Sequence, residues 1–129
     1  MTRKAMTESV SFFADTYALL GLLGGTDSYK PYLASDIVTS KFHLAELYYA
    51  LLRDYNAETA QHWLTFYSNF LVTVSLSSIA AAMQFKLQHK SEELSYADCI
   101  GYAVAAELGI KFLTGDNKFK DKENCEFVK

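Results

Sequence analysis

Four acidic residues fall at positions where side chains can do chemistry: Asp15, Glu46, Asp98 and Asp116. Asp15 follows the short aromatic run Val10-Ser11-Phe12-Phe13-Ala14, and Asp116 follows Lys111-Phe112-Leu113-Thr114 by one glycine, so each sits just past a segment that reads as a buried strand. Such an Asp has an ordinary use as a helix N-cap, accepting from free amides and suiting the helix dipole. Asp98 has a similar ordinary use. Ser95-Tyr96-Ala97-Asp98 has capping-box spacing, although Glu or Gln is the commoner fourth residue. Glu46 lies between Ala45 and Leu47 in a helical pattern that also places Arg53 on its row, and a solvated ion pair with Arg53 is the default expectation. Singly, none of the four marks a site. Their significance depends on whether the fold gathers them.

The elements that must do the gathering can be read from periodicity. After the first strand, Tyr17, Leu19, Leu20 and Leu23 follow at helical steps until Gly24-Gly25. A short helix is expected around 28–33 with Asp27 as its cap, then a strand at Ile37-Val38-Thr39. Leu44, Leu47, Tyr48, Leu51, Leu52 and Tyr55 define a long helix from Ser40; Asn56 closes it and caps the next, which carries Ala60, Trp63, Leu64, Tyr67 and Phe70. Leu71-Val72-Thr73-Val74 reads as a third strand, with helices over about 78–89 and 95–108, the latter stopped by Gly109. Lys111 to Thr114 is the fourth strand, and Glu126-Phe127-Val128 a weak edge strand. Strands separated by helices require crossovers, hence an α/β fold with a mostly parallel central sheet and helices on both faces. In such sheets ligands bind outside the carboxyl ends of the strands, where Asp15 and Asp116 are expected.

Composition bounds the class. The 129 residues suit a single domain spanning 1–129, with residues 1–8 as a flexible N-terminal extension. Half the residues are hydrophobic and 21% charged, a balance suited to a globular protein rather than a disordered chain. No apolar run approaches the roughly 20 residues that span a bilayer, and the N-terminus lacks a signal-peptide core, so a cytoplasmic protein with no membrane association is expected. Cys99 and Cys125 are far apart, without zinc or disulfide spacing. A net charge of -3 argues against coating nucleic acid through a broad basic surface, but not against an enzyme that touches a few nucleotides. Lys118, Lys120 and Lys122 could form a local positive rim beside Asp116, or simply a solvated loop. His43, His62 and His89 lack metal-ligand spacing, and no Ser-His-Asp or Cys-His motif is present.

Taken in order, Phe12-Phe13-Ala14-Asp15-Thr16, the Glu46 helix, Ser95-Tyr96-Ala97-Asp98 and Thr114-Gly115-Asp116-Asn117-Lys118-Phe119 resemble the PIN-domain ribonucleases over nearly the whole chain. The likeness is to the compact, VapC-like toxin branch, and the pairing of Asp98 with the later Thr114-Gly115-Asp116 is its most specific part. The resemblance implies a three-layer α/β/α PIN-like fold. It also implies an RNA-cutting hydrolase whose metal and catalytic residues are Asp15, Glu46, Asp98 and Asp116. A homodimer and an inhibitory antitoxin partner follow from the same likeness.

Four carboxylates in a small volume repel and raise one another's pKa unless a cation neutralises them. Oxygen-only ligands suit Mg²⁺ or Mn²⁺. In this reading Asp15 and Asp116 bind one ion while Glu46 and Asp98 hold a second or orient water, and the reaction is phosphodiester hydrolysis. Thr114 is a candidate to support a carboxylate with its hydroxyl. Thr16 is expected to be a turn or capping residue. Two other phosphate chemistries fit less well: Asp15-Thr16-Tyr17 lacks the second Asp of a haloacid-dehalogenase phosphatase, and a receiver domain needs an acidic pair absent here. The alternative from another class is a PIN-like binding or assembly protein with little or no nuclease activity.

Overall fold

The computed structural model describes residues 11–129, so the expectations for residues 1–8 and for Val10 lie outside the described residues. Strand β1 (Ser11–Ala14) leads into helix α1 (Thr16–Leu23), a 3-10 segment (Asp27–Ala34) and strand β2 (Asp36–Val38). Helices α2 (Lys41–Asp54), α3 (Ala57–Tyr67), α4 (Leu76–Gln88) and α5 (Tyr96–Leu108) follow, then β3 (Lys111–Thr114), a 3-10 turn (Asn117–Phe119) and β4 (Cys125–Phe127). All three strand pairings are parallel, in the spatial order β2-β1-β3-β4.

That order matters for function. The chain leaves β1 toward β2 on one side and later returns to lay β3 on the other, so the connections part at the carboxyl ends of β1 and β3. Ligands of open α/β sheets bind at this kind of switch point. The register pairs Phe13 with Phe112 and Ala14 with Leu113, and the ladder continues one step, with the Asp15 N–H donating to the Leu113 carbonyl at 3.1 Å. Asp15 and Thr114 are thereby brought side by side at the edge.

Alternation along β1 and β3 builds two cores. Phe12, Ala14 and Leu113 face Leu19, Leu44, Leu47 and Leu51 of α1 and α2, while Phe13 and Phe112 face Ile100 and Val104 of α5, Ala82 of α4 and Phe119. The sheet is thus covered by helices on both faces, giving the expected three-layer arrangement. Caps fix where the helices begin: Asn56 accepts from the Thr59 N–H at 2.7 Å, Ser75 from Ser78 at 3.1 Å and Ser95 from Asp98 at 3.0 Å. Gly109 ends α5 in the left-handed conformation, φ 70°.

Four local expectations change. Leu71-Val72-Thr73-Val74 is not a strand; only a parallel bridge between Thr39 and Leu71 forms, with the Val72 N–H donating to the Thr39 carbonyl at 2.9 Å. The segment is β-branched enough to run extended, but it touches the sheet only where β2 ends and has no longer edge to pair with. The expected short helix is a 3-10 segment that holds Pro31, and Asp27 pairs with Lys30 at 2.9 Å instead of capping it. Helix α4 begins two residues before the expected start, because Ser75 caps it. The weak final strand forms, one residue earlier than read, at the far edge beside β3. Both cysteines are free thiols.

Candidate active site

Asp15 is the buried centre of the carboxyl edge. It is 2% exposed and is the N-cap of α1, with Oδ1 accepting from the Ala18 N–H at 2.8 Å. The capping interpretation therefore holds, but it does not exhaust the residue: Oδ2 accepts from the Thr114 hydroxyl at 2.5 Å. Thr114, itself fully buried, accepts in turn from the Asp116 N–H at 3.0 Å. One hydroxyl at the end of β3 therefore ties the loop carrying Asp116 to the carboxylate at the end of β1.

Glu46 reaches the same edge from α2. Thr16 Oγ1 donates to Glu46 Oε1 at 2.8 Å, across 30 residues of chain. The expected partner, Arg53, pairs with its neighbour Asp54 at 2.8 Å instead. Thr16 is thus more than a turn residue: Asp15 caps the helix, which leaves the Thr16 hydroxyl free to hold Glu46. Nothing local in the sequence signals a bond between residues so distant, although an Asp-Thr pair opening a helix at a strand end was the available clue.

Asp98 completes its capping box, with Oδ2 accepting from the Ser95 N–H at 3.2 Å while Ser95 Oγ accepts from the Asp98 N–H. No hydrogen bond joins it to the other acids among the described residues, but their charges reach it. Burial raises the Asp98 carboxyl above its ordinary range; the Ser95 bonds oppose that shift, and the charges of Glu46 and Asp116 add to it. Burial likewise pushes Asp15 up to about 7; the Thr114 and Ala18 hydrogen bonds oppose the rise, while Asp98 and Asp116 reinforce it. Asp116 opens the 3-10 turn, with Oδ1 accepting from the Lys118 N–H at 3.0 Å.

The structure therefore links Asp15, Thr114 and Asp116 by hydrogen bonds, brings Glu46 to Thr16 next door, and leaves Asp98 coupled through charge. Among the described residues no three His, Cys, Asp or Glu side chains are grouped as tightly as the ligands of one ion. The donor chemistry nevertheless suits a hard divalent cation. The candidate groups are all oxygens, and two of them are raised by burial together with mutual repulsion, which a cation would relieve.

His43, one turn before Glu46, belongs to the core instead. It is fully buried, edge-on to Phe13 with centroids 5.0 Å apart, and its Nδ1 lies 2.7 Å from Ser40 Oγ. Two of the three lysines after Asp116 are engaged by other groups. Lys122 pairs with Glu92 at 2.5 Å and Lys118 Nζ donates to the Glu93 carbonyl at 3.0 Å.

Comparison with known proteins adds a family. The PIN domain profile matches residues 12–124. No curated protein matches by sequence. Among solved structures, VapC20 of Mycobacterium tuberculosis, described as a sarcin-ricin loop cleaving toxin, superposes with a TM-score of 0.71 at 23% identity, covering 92% of this chain and 99% of that one. VapBC2 of Rickettsia felis, bound to a promoter DNA fragment, gives 0.69 at 20% identity, covering 93% and 100%. A toxin-antitoxin complex from Klebsiella pneumoniae gives 0.66 at 16%, covering 92% and 96%. At these identities the likeness establishes a shared fold.

Proposed function

The chain belongs to the PIN-domain family, and on that premise we propose that it is an Mg²⁺- or Mn²⁺-dependent endoribonuclease, the toxin of a toxin-antitoxin pair. The observation that carries this reading is the buried Asp15 carboxylate at the β1/β3 switch point, hydrogen-bonded through Thr114 to the Asp116 loop and raised in part by Asp98 and Asp116. In this reading Asp15 and Asp116 hold one ion, and Glu46 and Asp98 hold a second or orient the attacking water. When bound, such an ion supplies charge stabilisation on the phosphate and a more acidic water. Thr114 holds the Asp15 carboxylate and Thr16 that of Glu46 by hydrogen bonds, and a cation would draw the acids closer together from there.

The proposed partners are an RNA substrate, an antitoxin and a second copy of the chain. Toxin-antitoxin complexes among the similar structures support the second. Exposed apolar side chains on α2 (Tyr49, Leu52), at its C-cap (Tyr55) and on α3 (Phe66) suit a protein interface. No described helix is long and apolar enough to cross a membrane. A PIN-like binding protein with little catalysis is favoured by one observation, the absence of a tight three-ligand group among the described residues. The deciding experiment incubates the purified chain with structured RNA in chelator and then in titrated Mg²⁺ or Mn²⁺. The nuclease reading expects cleavage only after metal is restored; no cleavage at any metal concentration favours the binding protein.

A further inference from the structure

Three lysines converge on three consecutive residues. Lys122 Nζ pairs with the Glu92 carboxylate at 2.5 Å, Lys118 Nζ donates to the Glu93 carbonyl at 3.0 Å, and Lys86 Nζ donates to the Leu94 carbonyl. Residues 92–94 lead directly into Ser95, the cap of α5, and so into Asp98. Lys118 lies in the 3-10 turn that Asp116 opens, and Lys122 in the loop that continues from it toward β4.

Lys118 touches both ends of this connection. Its backbone N–H donates to Asp116 Oδ1 at 3.0 Å, while its side chain grips the carbonyl of Glu93. Glu93 sits at φ 56°, the left-handed region that side-chain-bearing residues occupy at a cost, so the turn entering α5 is one that its surroundings must hold in place. Lys122 is well placed to help: its side chain is 17% exposed and that of Glu92 35%, so their attraction is less screened than that of a surface pair. Lysines spent on protein partners are poorly disposed to bind phosphate as well.

We infer that Lys118 and Lys122 are positioning residues that clamp the Asp116 turn to the entry of α5 and thereby set the spacing between Asp98 and Asp116. The inference rests on the proposed metal site. It assigns these lysines to the geometry of the acids, in place of either the positive rim or the solvated loop that their sequence allows. Removing the Lys122 charge should loosen both loops at once, so the acids meet a cation less often in the right arrangement. The consequence falls on metal affinity and turnover, with substrate capture left alone.

The test uses the full chain carrying Lys122→Met, which keeps the apolar stem, Glu92→Gln, and the exchange of Glu92→Lys with Lys122→Glu; Asp116→Asn serves as reference. Mn²⁺ affinity by calorimetry, kcat and KM for RNA at two salt concentrations, and Tm in chelator are measured. Each single variant should weaken Mn²⁺ binding about tenfold and lower kcat, with KM and its salt dependence unchanged, and the exchange should restore most of both losses. Parent-like Mn²⁺ affinity and kcat in Lys122→Met, with a raised KM of weaker salt dependence, would mean a phosphate contact and overturn the clamp. So would losses that the folded exchange variant fails to restore. A parent that binds Mn²⁺ no better than Asp116→Asn would instead sink the metal site itself, and the clamp's role with it.

Discussion

Thr16 Oγ1 and Glu46 Oε1 lie 2.8 Å apart, a hydrogen bond that joins the first turn of α1 to the middle of α2 at the carboxyl edge of the sheet. Thr16→Val keeps the branched shape and removes the donor. The expected outcome is a loss of about 10-fold to 100-fold in metal affinity or turnover, with a stability cost of about 1 kcal/mol, and Thr16→Ser should recover most of it. Steady-state kinetics on the three proteins checks this; equal kcat in all of them would remove Thr16 from the site.

Thr114 makes two bonds with one hydroxyl, donating to Asp15 and accepting from the Asp116 N–H, in a fully buried position. Thr114→Val leaves both partners short of a hydrogen bond, which costs about 1–3 kcal/mol for a buried group. Chemical denaturation of the metal-free protein should show that loss, and RNA cleavage should fall with it. A variant as stable as the parent would mean that the Asp116 loop is held elsewhere.

The raised Asp15 carboxyl gives a stability prediction whose sign follows from linkage. Its folded value of about 7 lies above the ordinary 3.8, so the folded protein holds this proton more tightly than the unfolded chain. The stabilisation is fully present below about pH 4 and is lost as pH rises through 7. Asp15→Asn cannot lose a proton and is still a good N-cap. In chelator, the Tm of the parent relative to Asp15→Asn should therefore fall between pH 4 and 8. A difference that stays flat across that window would contradict the burial of a titrating Asp15.

His43 carries the opposite sign. Burial lowers it to about 4, below the ordinary 6.5, so its contribution is present above pH 6.5 and is lost as pH falls through 4. Its ring also leaves no space at Gly101, where an added Cβ would lie 2.7 Å from Cε1 and Nε2 and 2.8 Å from the Phe13 ring. Gly101→Ala should destabilise by about 1–3 kcal/mol, read from denaturation midpoints, and a neutral result would show that α2 and α5 can part without cost.

The architecture was legible because its signals are local. Apolar steps of three and four marked the long helices, Ser40, Asn56 and Ser95 marked their starts, and Gly109 marked the end of the last. Asp15 and Asp116 could be placed because a strand end is a position in the sequence. What could not be read depends on contacts between distant segments. Leu71 to Val74 has strand-like residues but lacks a neighbour beyond one bridge. Glu46 had Arg53 on its own helix, and the choice of Thr16 required α1 and α2 to be packed first. The same holds for Lys118 and Lys122, whose partners lie 25 and 30 residues back along the chain.

Asp15, Glu46, Asp98 and Asp116 are proposed to act together on bound metal, and the decisive measurement is calorimetric Mn²⁺ binding to the parent and to Asp15→Asn, Glu46→Gln, Asp98→Asn and Asp116→Asn. Each substitution removes one ionisable carboxyl while keeping the size of the side chain, and Asn preserves the caps at positions 15 and 116 and an acceptor for the Ser95 N–H at position 98. The parent should bind Mn²⁺, and the four folded variants should each bind it about tenfold or more weakly. A parent that binds no Mn²⁺, or a folded variant that binds it as tightly as the parent, would contradict their joint action.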